Sequence, residues 1–311
     1  MAHIHRLARW TLAAMWGLIG AGSLVTTTGS GLSIPDWPTA FGGLVPTRWE
    51  GGVVFEYGHR VIAGIVLTLV TVLWIRALRT PDLRVSVRRG ITAVWVLIMI
   101  QAVLGGVTVL LELPTVVSVA HAGLAQITFA TMVACAVITA PSWPPRTTAR
   151  TPAGTQRRWW PWAGLLVVLT FGQILLGAWM RHIAAGLAVP TFPLAYGRLW
   201  PPAEMQFDAV KIWAHMLHRY GGLFLGLAYG TVTIPILRRF RSYRAVTLPA
   251  RWLLIGWGIQ LLLGGLVVWW TRQWTVTTLH VMTGAALFGL TVWLTLSLRA
   301  VEENTIREGT Q

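Results

Sequence analysis

Four histidines form two pairs with the same spacing along the chain. His59 and His121 are 62 residues apart, and His218 and His280 are again 62 residues apart. Each lies in a long apolar run, where an imidazole is costly to bury and usually has a functional role. Imidazole nitrogen is also a common metal ligand. A pair repeated at equal spacing therefore predicts two related ligand sites in preference to four unrelated hydrogen-bonding histidines.

A glutamate distinguishes the first pair from the second. The first half reads Glu56-Tyr-Gly-His59, whereas the second half reads His215-Met-Leu-His218. Residues three apart on a helix share a face, so we expect Glu56 beside His59. A buried carboxylate next to a cofactor can act as a general base or acid, and the alternative is a structural partner for Arg60. The halves are therefore predicted to hold one reactive site and one carrier site.

The elements that carry these residues are predicted to be membrane spans. The 311 residues are 55% hydrophobic and only 11% charged, and they contain a single cysteine, Cys135. This composition excludes soluble enzyme domains, a disordered chain and a disulfide scaffold. Crossing a bilayer takes about 20 apolar residues. The long apolar runs predict eight transmembrane helices, at about 9–27, 53–75, 91–111, 116–140, 162–181, 209–236, 250–271 and 275–298.

The basic residues predict the orientation of these spans. Of 25 Lys and Arg, 18 fall in the two tails and in the loops after the second, fourth and sixth spans. Positive charge collects on the cytoplasmic side, so both termini are expected inside the cell, in the cytoplasmic (inner) membrane. The net charge of +15 is thus assigned to topology, and no nucleic-acid partner is predicted.

The two halves of the chain repeat each other. The segment 31–42 matches 186–197 at an offset of 155, and 101–106 matches 260–265 at an offset of 159, which also relates the histidines. Both repeats hold four spans and enter the membrane from the same side, which predicts a pseudo-twofold axis along the membrane normal. The predicted fold is an all-α integral membrane protein of two tandem four-helix bundles, with domains at 1–145 and 162–311 and a cytoplasmic linker at 146–161.

The depth of the histidines favours heme. Each is expected within about two turns of the outer end of its span, which places both pairs toward the outer side of the membrane. Two histidines on facing helices suit a heme iron with one imidazole on each face. Zinc and di-iron sites are disfavoured because cysteines and carboxylates are scarce. Arg60 and Arg219, which follow His59 and His218, are candidate contacts for heme propionates.

Taken together, these motifs resemble the heme A synthase family of the CtaA type. The resemblance rests on Glu-x-x-His-Arg in span two, His-Arg in span six, single histidines in spans four and eight, and the loop 29–38, Gly-Ser-Gly-Leu-Ser-Ile-Pro-Asp-Trp-Pro. It covers nearly the whole chain. It implies an oxidoreductase that converts the C8 methyl group of heme O to the formyl group of heme A for terminal cytochrome oxidase.

The resemblance also implies roles for the candidate residues. His218 and His280 would hold a heme b as cofactor, and His59 and His121 would bind heme O as substrate. The essential glutamate of the family falls on Glu56. Heme O synthase and a membrane electron acceptor are the implied partners within the lipid bilayer, and the sequence leaves both a monomer and a homo-oligomer open.

One departure concerns a cysteine pair that some members carry in the first outer loop. Those positions are Ile34 and Ala40 here, and the matching positions of the second half are Val189 and Ala195. A thiol or disulfide step at this loop is therefore not expected in this chain.

Two other interpretations and two further histidines stay open at this point. A diheme membrane electron carrier, such as a quinol-oxidising cytochrome b subunit, would use the same histidine pairs without needing Glu56. A transporter built from parallel repeats would bind no heme. His182 and His215 are additional ligand candidates on the outer side, although only His218 follows the offset of 159.

Overall fold

A computed structural model describes residues 2–145, 158–202 and 208–309, with side chains up to residue 304. The described residues form eight α-helices and no β-strand. The helices are α1 (Ala2–Thr27), α2 (Val53–Leu78), α3 (Val85–Leu110), α4 (Thr115–Ile138), α5 (Trp160–His182), α6 (Ala209–Arg239), α7 (Arg244–Trp269) and α8 (Trp274–Gly309).

The all-helical prediction is confirmed, and seven of the eight helices are long and apolar enough to cross a membrane. These seven are α2 to α8, whereas α1 is not among them. The first turns of α1 carry Arg6 and Arg9 together with two histidines, which lowers the hydropathy of an otherwise apolar helix. The part of the predicted linker at 146–157 lies outside the described residues.

Several helices extend beyond the apolar runs that predicted them, whereas α4 and α7 each end two residues before their runs do. The last run was predicted to end near residue 298, but α8 continues to Gly309. An ion pair between Arg299 and Glu303, one turn apart, supports this extension. Glu302 also accepts a hydrogen bond from the backbone N–H of Trp159 at 2.8 Å. Hydropathy alone misses such turns, because helix hydrogen bonding continues where the apolar sequence stops.

Each half of the chain forms a ring of four helices. In the first half the contacts are α1 with α2, α2 with α3, α3 with α4 and α4 with α1, and the second half repeats this pattern from α5 to α8. The halves contact each other through α1 with α8, α4 with α8 and α4 with α5. The helices that carry His121 and His280 are therefore the ones at the centre of the interface between the halves.

The apolar core fills one end of each ring and leaves the histidines at the other. In α2 the buried core residues run from Val66 to Ala77, after His59, and in α4 they run from Phe129 to Ala136, after His121. The core of the second ring likewise follows His218 and His280 along α6 and α8. Burial of these side chains stabilises the bundle.

The two long loops predicted to face outward follow α1 and α5 and are called the first and second outer loops; they share one backbone conformation. The peptide bonds Trp37–Pro38 and Phe192–Pro193 are both cis, and Phe41 and Tyr196 both have φ of 55°. The loops therefore retain the internal repeat in detail, at the positions related by the offset of 155.

Candidate functional site

The structure brings the predicted histidines together in pairs. His59 and His121 are each the seventh residue of their helices, and their imidazoles are close enough to interact electrostatically. His218 and His280 face each other with ring centroids 6.3 Å apart and an angle of 69° between the ring planes. All four rings are half-buried.

The spacing of the second pair fits a metal ion held between two imidazoles. Two metal–nitrogen bonds of about 2 Å, added to the two ring radii, span about 6 Å. No group of three or more His, Cys, Asp or Glu side chains in the described part of the chain could hold a metal ion. The facing imidazoles of His218 and His280 fit a metal that takes two protein ligands, as a heme iron does.

Each histidine of the first half packs against a glycine of a neighbouring helix. A Cβ atom added at Gly22 of α1 would lie 3.2 Å from Cε1 of His59, and one added at Gly105 of α3 would lie 3.1 Å from Cε1 of His121. Contacts this short leave little room for any larger residue. The glycines thus set how closely each ring approaches the neighbouring helix.

The second half repeats these contacts. A Cβ atom added at Gly177 would lie 2.8 Å from Cε1 of His218, and one added at Gly264 would lie 3.3 Å from Cε1 of His280. Gly22 and Gly177 were not identified from the sequence. The offset of 155 that relates the outer loops also relates these two glycines, and it was the available signal.

Glutamine side chains lie against two of the rings in the same way. The amide nitrogen of Gln101 is 3.2 Å from Nδ1 of His121 and donates to its backbone carbonyl at 3.0 Å. The amide nitrogen of Gln173 is 3.1 Å from Nδ1 of His218 and donates to its carbonyl at 2.7 Å. Because each amide contacts both the ring and the main chain of one residue, it restrains rotation of that ring.

Glu56 is buried, with 3% of its surface exposed, and both its oxygens are hydrogen-bonded. Oε1 accepts from Arg60 at 2.6 Å, and Oε2 accepts from the backbone N–H of Ile34 at 2.8 Å. The structural partnership with Arg60 considered from the sequence is therefore present. A role in proton transfer is compatible with it, because Glu56 precedes His59 by one helical turn on the same helix.

Arg60 connects α2 to the first outer loop. Its guanidinium donates to the carbonyls of Asp36 and Thr39 at 2.8 Å each and to that of Ile34 at 3.3 Å, in addition to Glu56. These bonds engage both terminal nitrogens with protein acceptors. The predicted contact between Arg60 and a propionate stays a prediction.

Arg219 has the same position in the second half but fewer partners. It donates to the carbonyl of Val189 at 2.5 Å, and its guanidinium lies 5.6 Å from the centre of the Phe192 ring. Its Nε and Nη1 atoms are buried and have no hydrogen-bond partner among the described residues. These two donors fit a carboxylate group such as a heme propionate.

The extra histidines have different surroundings. His215 is 3% exposed, and its Nδ1 lies 3.0 Å from the carbonyl oxygen of Ala185, so this ring nitrogen is used within the protein. His182 lies at the end of α5 and interacts electrostatically with His121 of the other half. Neither takes the place of His218 opposite His280.

The positions of the family's cysteine pair are buried together in this chain. Ile34 and Ala40 are 0% and 3% exposed and pack in one apolar cluster with Val53. Val189 and Ala195 form the corresponding cluster in the second half. Apolar packing therefore joins the two sides of each loop at these positions.

An arginine of the second half reaches into the first. Arg181 of α5 donates to the carbonyl of Ser23 at 2.7 Å and to the hydroxyl of Thr27, both near the end of α1. Cations are favoured near the carboxyl end of a helix. Arg181 also interacts electrostatically with His280, and it therefore connects the second histidine pair to the interface between the halves.

Asp36 organises the first outer loop. Its carboxylate accepts hydrogen bonds from the hydroxyl of Thr39 and from the backbone N–H groups of Gly42 and Phe41. These bonds favour the charged form and lower the pKa of Asp36 to about 2. The matching residue, Thr191, is neutral.

We predict that acid weakens the first loop but leaves the second unchanged. The folded-state pKa of Asp36 is below its ordinary value, so its stabilisation is complete above about pH 4 and is lost as the pH falls through about 2. Pepsin cleavage within 31–43, relative to 186–198, should increase over this interval. An Asp36→Asn variant should show no such transition, and an identical transition in both proteins would contradict the assignment.

A sequence model of the COX15-CtaA family, described as cytochrome oxidase assembly protein, matches residues 5–210. The chain belongs to this family. The matched residues include Glu56 and both histidines of the first pair. They also include the glycines and glutamines that contact His59, His121 and His218, namely Gly22, Gly105, Gly177, Gln101 and Gln173.

Several relatives of the chain are heme A synthases. It is 27% identical over 280 residues to that of Alkalihalophilus pseudofirmus, covering 88% of this chain and 90% of the relative. It is 26% identical to that of Geobacillus thermodenitrificans (92% and 88% covered) and 28% identical to that of Listeria welshimeri (96% of each). These matches extend the similarity through the second half, beyond the part covered by the COX15-CtaA family model.

Proposed function

We propose that this chain is a heme A synthase, an oxidoreductase that converts the C8 methyl group of heme O to the formyl group of heme A for terminal cytochrome oxidase. The observation that carries the proposal is the pair His218 and His280, with ring centroids 6.3 Å apart. The similarity to heme A synthases over most of the chain supports the same function.

In this proposal the second half holds the cofactor. His218 and His280 bind a heme b, and the two unpartnered donors of Arg219 bind a propionate carboxylate. The heme supplies one-electron redox chemistry when it is bound. The residues around it position the ligands and keep water away from the apolar end of the bundle.

The first half binds the substrate, heme O, through His59 and His121. Oxidation of a methyl group releases protons, and Glu56 is the acid–base group nearest to this pair along α2. Glu56 accepts or relays these protons, while Arg60 and the N–H of Ile34 hold its carboxylate in place. The outer loop, held by Arg60, covers this end of the helices.

The proposal also includes the placement in the membrane. Eight helices cross the inner cell membrane, both termini face the cytoplasm, and the histidine pairs lie toward the outer side. The helix contacts within and between the halves fit two bundles related by a pseudo-twofold axis along the membrane normal. Heme O synthase and a membrane electron acceptor are the proposed partners.

The test is to identify the hemes that the purified protein contains. A pyridine hemochrome spectrum should show heme, and extraction followed by chromatography should yield heme b together with heme O, its alcohol or heme A. Heme b alone, in two copies, would identify a diheme electron carrier. A protein without heme, purified from cells that make heme O, would contradict both.

A further inference from the structure

Three of the four histidines contact a glutamine amide, and the fourth does not. In addition to the contacts of Gln101 and Gln173, the amide nitrogen of Gln260 lies 3.3 Å from Nε2 of His280. Nδ1 of His59 is buried and makes no hydrogen bond to any described residue. Both rings of the second half therefore contact an amide, although Gln260 reaches only Nε2 of His280 and leaves its buried Nδ1 without a partner among the described residues, whereas in the first half only His121 contacts one.

His59 has no such contact because two positions carry different residues in the two halves. Gln173 corresponds to Leu18 at the offset of 155, and Gly221 corresponds to Ile62 at the offset of 159. A Cβ atom at Gly221 would lie 2.3 Å from Oε1 of Gln173, so the amide occupies space that only glycine leaves open. Leu18 and Ile62 instead both pack against the apolar core of the first half.

The packing of the rings against their glycines differs in the same direction. The Gly177 position is 2.8 Å from the ring of His218, measured from an added Cβ atom, whereas the Gly22 position is 3.2 Å from the ring of His59. His218 is therefore held more tightly on the side of its neighbouring helix as well as by the amide.

A synthase requires this kind of difference, since it must admit one heme and release its product in each cycle while it retains the other. We propose that Gln173 is a positioning residue that fixes the ring of His218 for permanent heme retention, and that Leu18 in its place leaves His59 without this restraint, so that the first site exchanges its heme. This inference rests on the proposed function and assigns retention and exchange to named residues.

The test exchanges the two residue pairs between the halves. Gln173→Leu with Gly221→Ile should accelerate loss of heme b to excess apomyoglobin by about tenfold, the lower end of the effect expected for a residue that supports a metal ligand. Leu18→Gln with Ile62→Gly should slow release from the first site by a similar factor. Chromatography of the remaining heme distinguishes the two sites.

A second variant and a control keep the test independent of misfolding. Gln173→Met preserves the shape of the side chain and leaves Gly221 in place, so it should fold and still accelerate heme b loss. It should also change the low-spin EPR signal, which depends on the orientation of the imidazole planes. Gln126→Leu removes a buried glutamine that makes no hydrogen bond to a described histidine, and it should change neither.

The outcomes separate this inference from the proposed function. Heme in the unaltered protein with unchanged loss rates and EPR signal in Gln173→Met would overturn the role of Gln173 while the proposed function stands. Equal acceleration by Gln126→Leu would overturn it as well. Absence of heme from the unaltered protein would instead contradict the proposed function.

Discussion

Replacement of Glu56 by glutamine is expected to slow heme A formation by about 10²- to 10⁴-fold, the usual contribution of a general acid–base group. Glutamine has nearly the same size and can still accept from the N–H of Ile34, so the loop should keep its position. It cannot carry a proton between groups. The measurement is the ratio of heme A to heme O in extracts of cells that express the variant.

The control for this prediction is Glu50→Gln, which changes an exposed carboxylate close to the same helix. It should leave the ratio unchanged. Heme b content of the Glu56 variant should also be unchanged, because the second histidine pair is on other helices. Full heme A production by a Glu56→Gln protein with normal heme content would exclude proton transfer by this residue.

Substitution of single histidines is expected to separate the two sites. His218→Ala should lose heme b and with it about half of the bound heme, since an axial ligand is removed from one of two sites. His59→Ala should retain heme b but yield neither heme O nor heme A on extraction. Both variants should lack synthase activity, so heme identity is the informative measurement.

The matched control is His215→Ala, which removes a histidine three residues before His218 that contacts the carbonyl of Ala185. It should retain both hemes. Loss of the same heme from the His59 and His218 variants would contradict the assignment of one site to each half.

The sequence predicted the helices well but not where they end. Apolar runs locate the part of a helix that lies in lipid, and they gave the start of α2 and α6 correctly. They missed the extension of α8, because its last turns are held by Arg299, Glu302 and Glu303. They also ended the sixth run at residue 236, just after Pro235, whereas α6 continues to Arg239.

The spacing of the histidines predicted how they pair, but it did not predict which residues contact them. Equal offsets were sufficient to place His218 opposite His280. The contact between Gln173 and His218 depends on how α5 and α6 are rotated about their axes, which residue spacing does not specify. Arg60 shows the same limit, since its bonds to loop carbonyls depend on the path of the loop.

The first half has Glu56 where the second half has His215, and this difference affects the reduction potentials expected of the two sites. Arg60 is neutralised by Glu56, whereas Arg219 has no carboxylate partner within the described part of the chain. Even when a heme propionate binds Arg219, the second site therefore has one protein carboxylate fewer than the first, and fewer negative charges nearby favour the reduced form of a redox group. We therefore expect a higher reduction potential in the second half, so that electrons released at the substrate move downhill toward it.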